Sequence, residues 1–254
     1  MLTIRSIGSS VLKQPIIAYQ IGNLTAPNRL LVTAGMHARE WITSLALKQW
    51  LKKQNQILKN TCIIAIPECN PDGILLAKNG YQQFSKKLQK FLYRINNKSK
   101  NFSLWKANIR AVDLNVNFDA NWGKGIKNTI HPAPANYIGP EPNSEPENLA
   151  LLNLIKYFKP TASIALHSKG NIIYYSRNED RKTAENLSAL TEFPAILSSG
   201  SFGGLTDYLA LQKNIPSFTI ELGDDKLEHP INENYLPSIM PKLSKIINYF
   251  LTGE

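Results

Sequence analysis

The stretch Arg29-Leu-Leu-Val-Thr-Ala-Gly-Met-His-Ala-Arg-Glu-Trp41 decides the fold of this 254-residue chain. Its first six residues are nearly all apolar, which predicts a short strand buried on both faces. Gly35 ends that run. The next apolar residues recur at the spacing of one helix face: Ile42, Leu45, Ala46, Trp50 and Leu51. A buried strand that leads through a tight turn into a helix is typical of α/β proteins.

Three further apolar runs predict buried strands of the same kind, at Cys62 to Pro67, Ala162 to Leu166 and Ser217 to Leu222. A C-terminal helix is predicted by a single apolar stripe: Ile239, Leu243, Ile246, Ile247 and Phe250. The alternation of strands and helices again indicates an α/β fold.

A long loop is predicted between Asp119 and Pro146, where Pro, Gly and Asn are frequent. Long loops inside compact domains are often functional. The loop ends at Ser144-Glu-Pro-Glu147, which predicts a capping box: Ser144 caps the next helix and Glu147 reaches back to it.

Length and composition fit one globular domain, which we expect to span residues 1–254. No run approaches the roughly 18 apolar residues that a membrane span needs. The first residues show no signal peptide, so we expect a cytoplasmic protein with no membrane span. Cys62 and Cys69 lie an odd number of residues apart in one strand-like run, hence on opposite faces. We therefore expect two free, buried thiols, as in a reducing compartment.

The chain is basic, with a net charge of +10 and a pI of about 9.5. Lysines are densest at Lys86 to Lys90 and in the segment Asn96 to Asn101. Such charge could attract nucleic acid or anionic cell-wall fragments. No nucleic-acid motif accompanies it, so we favour a solvated surface and expect no nucleic-acid partner.

A candidate metal site begins with His37 and Glu40, three residues apart at the turn after the first strand. One imidazole and one carboxylate are good zinc donors, but a third donor must come from elsewhere. His167 fits best, because it follows a predicted strand and ligands of open α/β sheets bind beyond the carboxyl ends of strands. His131 and His229 precede prolines in apparent loops. A chance His-x-x-Glu pair and a structural histidine remain the alternative at this point.

Five motifs stand in order along the chain: Gly35-Met-His-Ala-Arg-Glu-Trp41, Asn70-Pro-Asp-Gly73, Asp113-Leu-Asn-Val-Asn-Phe-Asp119, Ala165-Leu-His-Ser168 and Phe218-Thr-Ile-Glu-Leu222. Together they resemble the motifs of the zinc metallocarboxypeptidase family, which includes pancreatic carboxypeptidase A. The resemblance covers the chain from about Gly35 to Gly223. It implies a three-layer α/β fold, with a mixed, mainly parallel twisted sheet flanked by helices.

The resemblance implies a peptidase with one zinc ion per chain, held by His37, Glu40 and His167. The fourth position would stay open for water. Glu221 would be the general base that takes a proton from this water and delivers it to the leaving amine. These residue types suit metal-assisted hydrolysis of a peptide bond.

The resemblance also implies substrate contacts. Arg39 would polarise the substrate near the scissile bond, and Asn115 would hold a carboxylate or a carbonyl. The family places an arginine for the oxyanion just before the substrate motif. Lys106 follows a tryptophan as that arginine does, whereas Arg110 is the only arginine in the segment. We prefer Arg110, because Lys106 could be a plain surface lysine and offers only a point charge.

Two departures from the family pattern change the expected substrate. Val116 stands where a true carboxypeptidase has an arginine that grips the substrate's terminal carboxylate. Counting back from Gly203 and Gly204 puts Ser199 where the family has a mobile tyrosine. Thr206 falls at the floor of the side-chain pocket, where a small polar residue suits a polar substrate.

These features look like the bacterial branch of the family that cleaves the γ-D-glutamyl bond to meso-diaminopimelate or another diamino acid. The expected partner is a peptide, specifically a muropeptide, and Lys169 or Arg177 could bind the substrate carboxylate that Val116 cannot bind. One alternative is a metallocarboxypeptidase that acts on ordinary peptides. An inactive binding module and a basic nucleic-acid-binding protein are the others. The sequence predicts no oligomeric state.

Overall fold

Eight strands form one mixed sheet in the computed structural model, which describes residues 2–54 and 58–252. The strands are β1 (Leu2–Ser9), β2 (Pro15–Ile21), β3 (Asn28–Thr33), β4 (Thr61–Ile66), β5 (Ala162–His167), β6 (Ile172–Tyr175), β7 (Ala195–Leu197) and β8 (Ser217–Glu221). The helices are α1 (Trp41–Lys52), α2 (Pro71–Asn79), α3 (Lys86–Ile95), α4 (Pro146–Phe158), α5 (Arg181–Thr191), the short α6 (Leu205–Asp207) and α7 (Leu236–Thr252).

The centre of the sheet is parallel. β3 pairs in parallel with β4 and β5, and β5 pairs in parallel with β8. Antiparallel pairs lie further out, β1 with β2, β2 with β4 and β6 with β8, while β7 is parallel to β6. The order across the sheet is β1-β2-β4-β3-β5-β8-β6-β7. The predicted mixed, mainly parallel sheet is confirmed, and the four predicted strands are its four central ones.

Helices cover both faces of the sheet. Along β3, Leu30 and Val32 belong to one core and Leu31 to the other, because successive side chains of a strand point to opposite faces. Residues of α1, α5 and α7 complete the first core, and residues of α4 complete the second. The central strands are therefore apolar throughout. The predicted three-layer α/β architecture is confirmed.

The predicted loop is present, and no helix or strand interrupts the chain from Asn117 to Glu145. The predicted capping box is wrong. Glu145, not Ser144, is the N-cap of α4, and Ser144 Oγ donates a hydrogen bond to Glu145 Oε1 at 2.9 Å. Glu147 instead accepts a hydrogen bond from the Val11 amide at 3.2 Å. Its side chain therefore fastens α4 to the turn after β1.

Both cysteines are free and buried, as predicted. They do not share a strand, however, because β4 ends at Ile66 and Cys69 lies beyond it. Burial raises the pKa of Cys62 to about 11 and that of Cys69 to about 12. The lysines of Lys86 to Lys90 are exposed on α3, so this part of the charge is a solvated surface. Among the described helices, none is long and apolar enough to cross a membrane.

Candidate active site

The candidate site lies where the central strands end. β3 leads through Gly35 into a short turn, Ala38–Glu40, and α1 follows directly. Gly35 has a φ of 62°, and a Cβ at this position would lie 3.0 Å from the Pro67 carbonyl oxygen. Only glycine fits this turn without strain. The turn places His37 and Glu40 beside His167, the last residue of β5.

Three side chains converge on one point there. Nδ1 of His37 lies 2.8 Å from Oε1 of Glu40 and 3.0 Å from Nδ1 of His167. Oε2 of Glu40 lies 3.0 Å from the same nitrogen of His167. All three residues are buried. Donors about 2 Å from a tetrahedral zinc are roughly 3.3 Å apart, so this group could hold a metal ion.

The electrostatics of the group favour a cation. Burial alone would raise the pKa of Glu40, but His37 and His167 hold it well below its usual range. Burial alone would lower the pKa of His37, but the carboxylates of Glu40 and Asp113 outweigh this and raise it. The group of His37, Glu40 and His167 therefore favours a positive charge at a buried position. A bound metal ion would supply that charge, and the donor set fits zinc.

Glu221 is held beside this group by the sheet. It ends β8 and pairs in register with His167 on the adjacent strand β5. Burial raises its pKa to about 7, and the Glu40 carboxylate adds to this, whereas His167, Lys106 and Arg39 oppose it. The structure thus brings the predicted base next to the predicted ligands.

A cavity of about 520 Å³ opens beside these residues. His37, His167 and Glu221 line it, together with two predicted substrate residues, Asn115 and Thr206. Oδ1 of Asn115 accepts a hydrogen bond from the Leu205 amide at 3.2 Å. The Thr206 hydroxyl lies 2.9 Å from that of Thr219. Both predicted residues are therefore fixed in the cavity wall.

The two positions that depart from the family pattern also line the cavity. Val116 and Ser199 both face it. A Cβ on Gly203 would lie 2.7 Å from the carbonyl oxygen of Val116, so the backbones approach too closely for any other residue.

Arg39 lies close enough for its charge to lower the pKa of Glu221. Its buried Nε has no hydrogen-bond partner within the described ranges.

Three predicted cations do not reach the cavity. Arg110 is exposed, and its nearest carboxylate is Glu145 at 3.8 Å, along a different groove. The preference for Arg110 over Lys106 is therefore corrected, because Lys106 lines the cavity. Lys169 bonds to Asp225, with 3.2 Å between Nζ and Oδ1.

Arg177 is also engaged elsewhere. Its guanidinium forms hydrogen bonds of 2.8 and 2.6 Å to the carboxylate of Asp180. Neither Lys169 nor Arg177 is thus placed as the substitute for the missing arginine. The structure puts Lys127, from the long loop, on the cavity wall instead.

Several residues of the site were not predicted from the sequence. Asp113 lies behind the metal group, 3.4 Å from Nε2 of His37 and 2.8 Å from Nζ of Lys106. Burial alone would raise the pKa of Asp113, but these two partners hold it well below its usual range. Asp113 opens one of the five motifs, which was the available signal. The other unpredicted residues that line the cavity include Lys127, Tyr174, Ser176 and Asp207.

Comparison with known proteins shows the family of the chain. The zinc carboxypeptidase family model matches residues 1–199. Gamma-D-glutamyl-L-diamino acid endopeptidase 1 of Lysinibacillus sphaericus is 33% identical over 248 residues, which cover 89% of this chain and 62% of that protein. The chain thus spans less than two thirds of that relative's length.

Solved structures share the fold. Carboxypeptidase A of Helicoverpa armigera has a TM-score of 0.77 at 17% identity, covering 98% of this chain and 67% of that one. Murein-tripeptide amidase MpaA of Escherichia coli O157 has a TM-score of 0.66 at 23% identity, covering 97% and 91%. At such identities these similarities show the fold alone.

The matched family model identifies the class of the chain as that of the zinc peptidases. It belongs to the zinc carboxypeptidase family, whose model covers most of its length. The zinc ion that the family name implies fits the buried group of His37, Glu40 and His167.

Proposed function

We propose that this protein is a zinc-dependent peptidase that hydrolyses the γ-D-glutamyl bond to a diamino acid, such as meso-diaminopimelate, in bacterial cell-wall peptides. Val116 carries this proposal. It lines the cavity where a family carboxypeptidase has the arginine for the substrate's terminal carboxylate, and valine cannot bind a carboxylate. The name of the Lysinibacillus sphaericus relative supports the same substrate class.

The geometry supports a role for each residue of the metal group and for Glu221. One zinc ion per chain, held by His37, Glu40 and His167, would supply Lewis acidity and lower the pKa of a bound water toward ~7. Glu221 takes a proton from the attacking water on its carboxylate and passes it to the leaving amine. Burial disfavours the charged form of Glu221, which strengthens it as a proton acceptor.

Other side chains act on the substrate. Lys106, anchored at 2.8 Å on Asp113, presents a cation to the oxygen that gains charge as the carbonyl is attacked. Arg39 polarises the same carbonyl, and Asn115 holds a neighbouring polar group of the peptide. Lys127 offers a carboxylate contact, because it lines the cavity and takes part in no ion pair with the described residues.

A second candidate is a metallocarboxypeptidase acting on ordinary peptides. The cations on the cavity wall, Lys106 and Lys127, favour it, because either could receive a C-terminal carboxylate. The two candidates share one mechanism and differ in the linkage that is cleaved.

The deciding experiment is digestion of L-Ala-γ-D-Glu-meso-diaminopimelate by the zinc-loaded protein, with mass detection. We expect release of free diaminopimelate. The Glu221→Gln variant should lose about 100- to 10,000-fold in kcat while it keeps its zinc. A blocked ordinary dipeptide, benzoyl-glycyl-phenylalanine, is digested in parallel. Cleavage of this dipeptide with the γ-linked peptide left intact would replace our proposal by the second candidate.

A further inference from the structure

The cavity contains a buried carboxylate that the proposed hydrolysis does not use. Asp207 lines the cavity and is only 7% exposed. Its Oδ1 accepts a hydrogen bond from Ser176 Oγ at 3.0 Å, and its Oδ2 accepts one from the Gly204 amide at 3.2 Å. Both donors are neutral. Within residues 2–54 and 58–252, no basic side chain forms an ion pair with Asp207.

A buried carboxylate of this kind is costly without a cation. Two other buried carboxylates have one: Asp113 is paired with Lys106, and Asp180 with Arg177. Burial raises the pKa of Asp207 to about 6, although its two hydrogen bonds lower it. The group therefore still carries a negative charge at neutral pH. A cation entering the cavity would compensate this charge.

The position of Asp207 relative to Glu221 suggests which cation enters. Thr219 and Glu221 are two residues apart on β8, so their side chains share a face about 7 Å apart. The Thr219 hydroxyl contacts that of Thr206, the neighbour of Asp207 in the chain. A polar wall thus runs from the base to Asp207. A long side chain next to the scissile bond can follow this wall.

We propose that Asp207 binds the distal ammonium of the diamino acid on the leaving side of the scissile bond, and so makes the cavity select a cationic side chain. The inference rests on the proposed function for the substrate class. Lysine and diaminopimelate carry this nitrogen the same number of bonds from the α-carbon. Norleucine has a similar length without the charge, which makes it the matched apolar comparison.

The test uses three peptides, L-Ala-γ-D-Glu-X, in which X is meso-diaminopimelate, lysine or norleucine. The zinc-loaded protein should prefer lysine to norleucine by about 10- to 100-fold in kcat/KM, as a charged hydrogen bond implies. In Asp207→Asn this preference should fall below about threefold, through loss on lysine alone. Asp72→Asn is the matched control. Asp72 is also buried with a raised pKa, but it contacts the Leu12 amide away from the cavity. It should keep the wild-type preference.

An unchanged preference in Asp207→Asn, or an equal loss on both substrates, would overturn the inference. If that variant does not fold, inhibition of the wild type by free L-lysine and L-norleucine decides. Lysine must then be the stronger inhibitor by at least about tenfold. Benzoyl-glycyl-lysine and benzoyl-glycyl-norleucine form a separate arm. If only these α-linked peptides are cleaved, the proposed function fails, while their lysine-to-norleucine ratio still tests Asp207.

Discussion

Nε2 of His37 lies 3.4 Å from Oδ1 of Asp113, on the ring edge away from the nitrogen that faces Glu40 and His167. A carboxylate this close to Nε2 favours the imidazole tautomer that carries its proton there, which leaves the lone pair of Nδ1 free to bind a metal. The buried Asp113 is therefore placed to orient the proposed ligand His37 from the side away from the other two donors.

Asp113→Asn is expected to weaken zinc affinity by about 10- to 100-fold, the usual effect of losing a carboxylate behind a ligating histidine. Titration of the zinc-free protein against a competing chelator measures it. Asp119→Asn is the control, since Asp119 belongs to the same motif but is exposed. Equal zinc affinity in the two variants would contradict the orienting role of Asp113.

Lys106 and Arg110 are distinguished by paired alanine variants. Lys106→Ala should lower kcat by about 100- to 1,000-fold, because a cation at the developing oxyanion contributes to the transition state. Arg110→Ala should stay within about twofold, because its side chain lies outside the cavity. Both variants are assayed on the γ-linked peptide at saturating zinc. Lys106→Ala also removes the ion-pair partner of Asp113, and saturating zinc compensates any loss of zinc affinity that results. The assignment of Lys106 is wrong if the two variants lose equal activity.

Lys127→Ala should raise KM for the diaminopimelate peptide by about tenfold and leave kcat nearly unchanged, as expected for a carboxylate contact. Lys169→Ala provides the control, because Lys169 is bound to Asp225 outside the cavity. Steady-state kinetics on both variants separate the two lysines. A larger increase in KM in Lys169→Ala than in Lys127→Ala would instead support Lys169, the residue predicted from the sequence, as the contact of the substrate carboxylate.

Stability should depend on pH through Glu147, which is fully buried and has a pKa of about 7, raised by burial from an ordinary 4.5. The native state then keeps a proton that the unfolded chain releases, so stability falls as pH rises from 4.5 to 7. At 1.36 kcal/mol per pKa unit, the decrease is roughly 3 kcal/mol.

Urea unfolding of the zinc-loaded protein at pH 5 and pH 8 measures this decrease. Glu147→Gln cannot ionise, so its free energy of unfolding should change less between the two values. The difference between wild type and variant cancels the pH dependence of zinc binding that both share. If both proteins lose the same free energy, another group is responsible.

The central strands were predictable because both of their faces are buried, which makes β3, β4, β5 and β8 continuous apolar runs. The outer strands β1, β2, β6 and β7 give weaker signals. β7 has only three residues, and β1 is largely exposed. Their pairing depends on distant partners rather than on local pattern. Tyr174 and Ser176, at the end of β6, were missed for this reason.

The convergence of His37, Glu40, His167 and Glu221 was predictable because each stands in a short motif at a strand end. The choice between Lys106 and Arg110 was not, because it depends on a turn. The amides of Arg110 and Val112 donate to Asn108 Oδ1, and Ala111 has a φ of 64°. This tight turn directs the Arg110 side chain outward. The residue types in the segment do not predict the turn. The Ser176–Asp207 hydrogen bond likewise joins positions 31 residues apart.

The pairing of His167 with Glu221 across β5 and β8 separates the reactive groups, which lie on the sheet, from the loops that line the rest of the cavity. The spacing of reactive groups is set by backbone ladders at the centre of the sheet, which loop substitutions leave intact. Two loop segments also line the cavity, Gly125 to Asn128 and Ser198 to Ser201. Exchanging the sequences of these two segments should therefore change which ligands the cavity binds, while the spacing of His167 and Glu221 stays the same. The scaffold is suited to divergence by loop exchange.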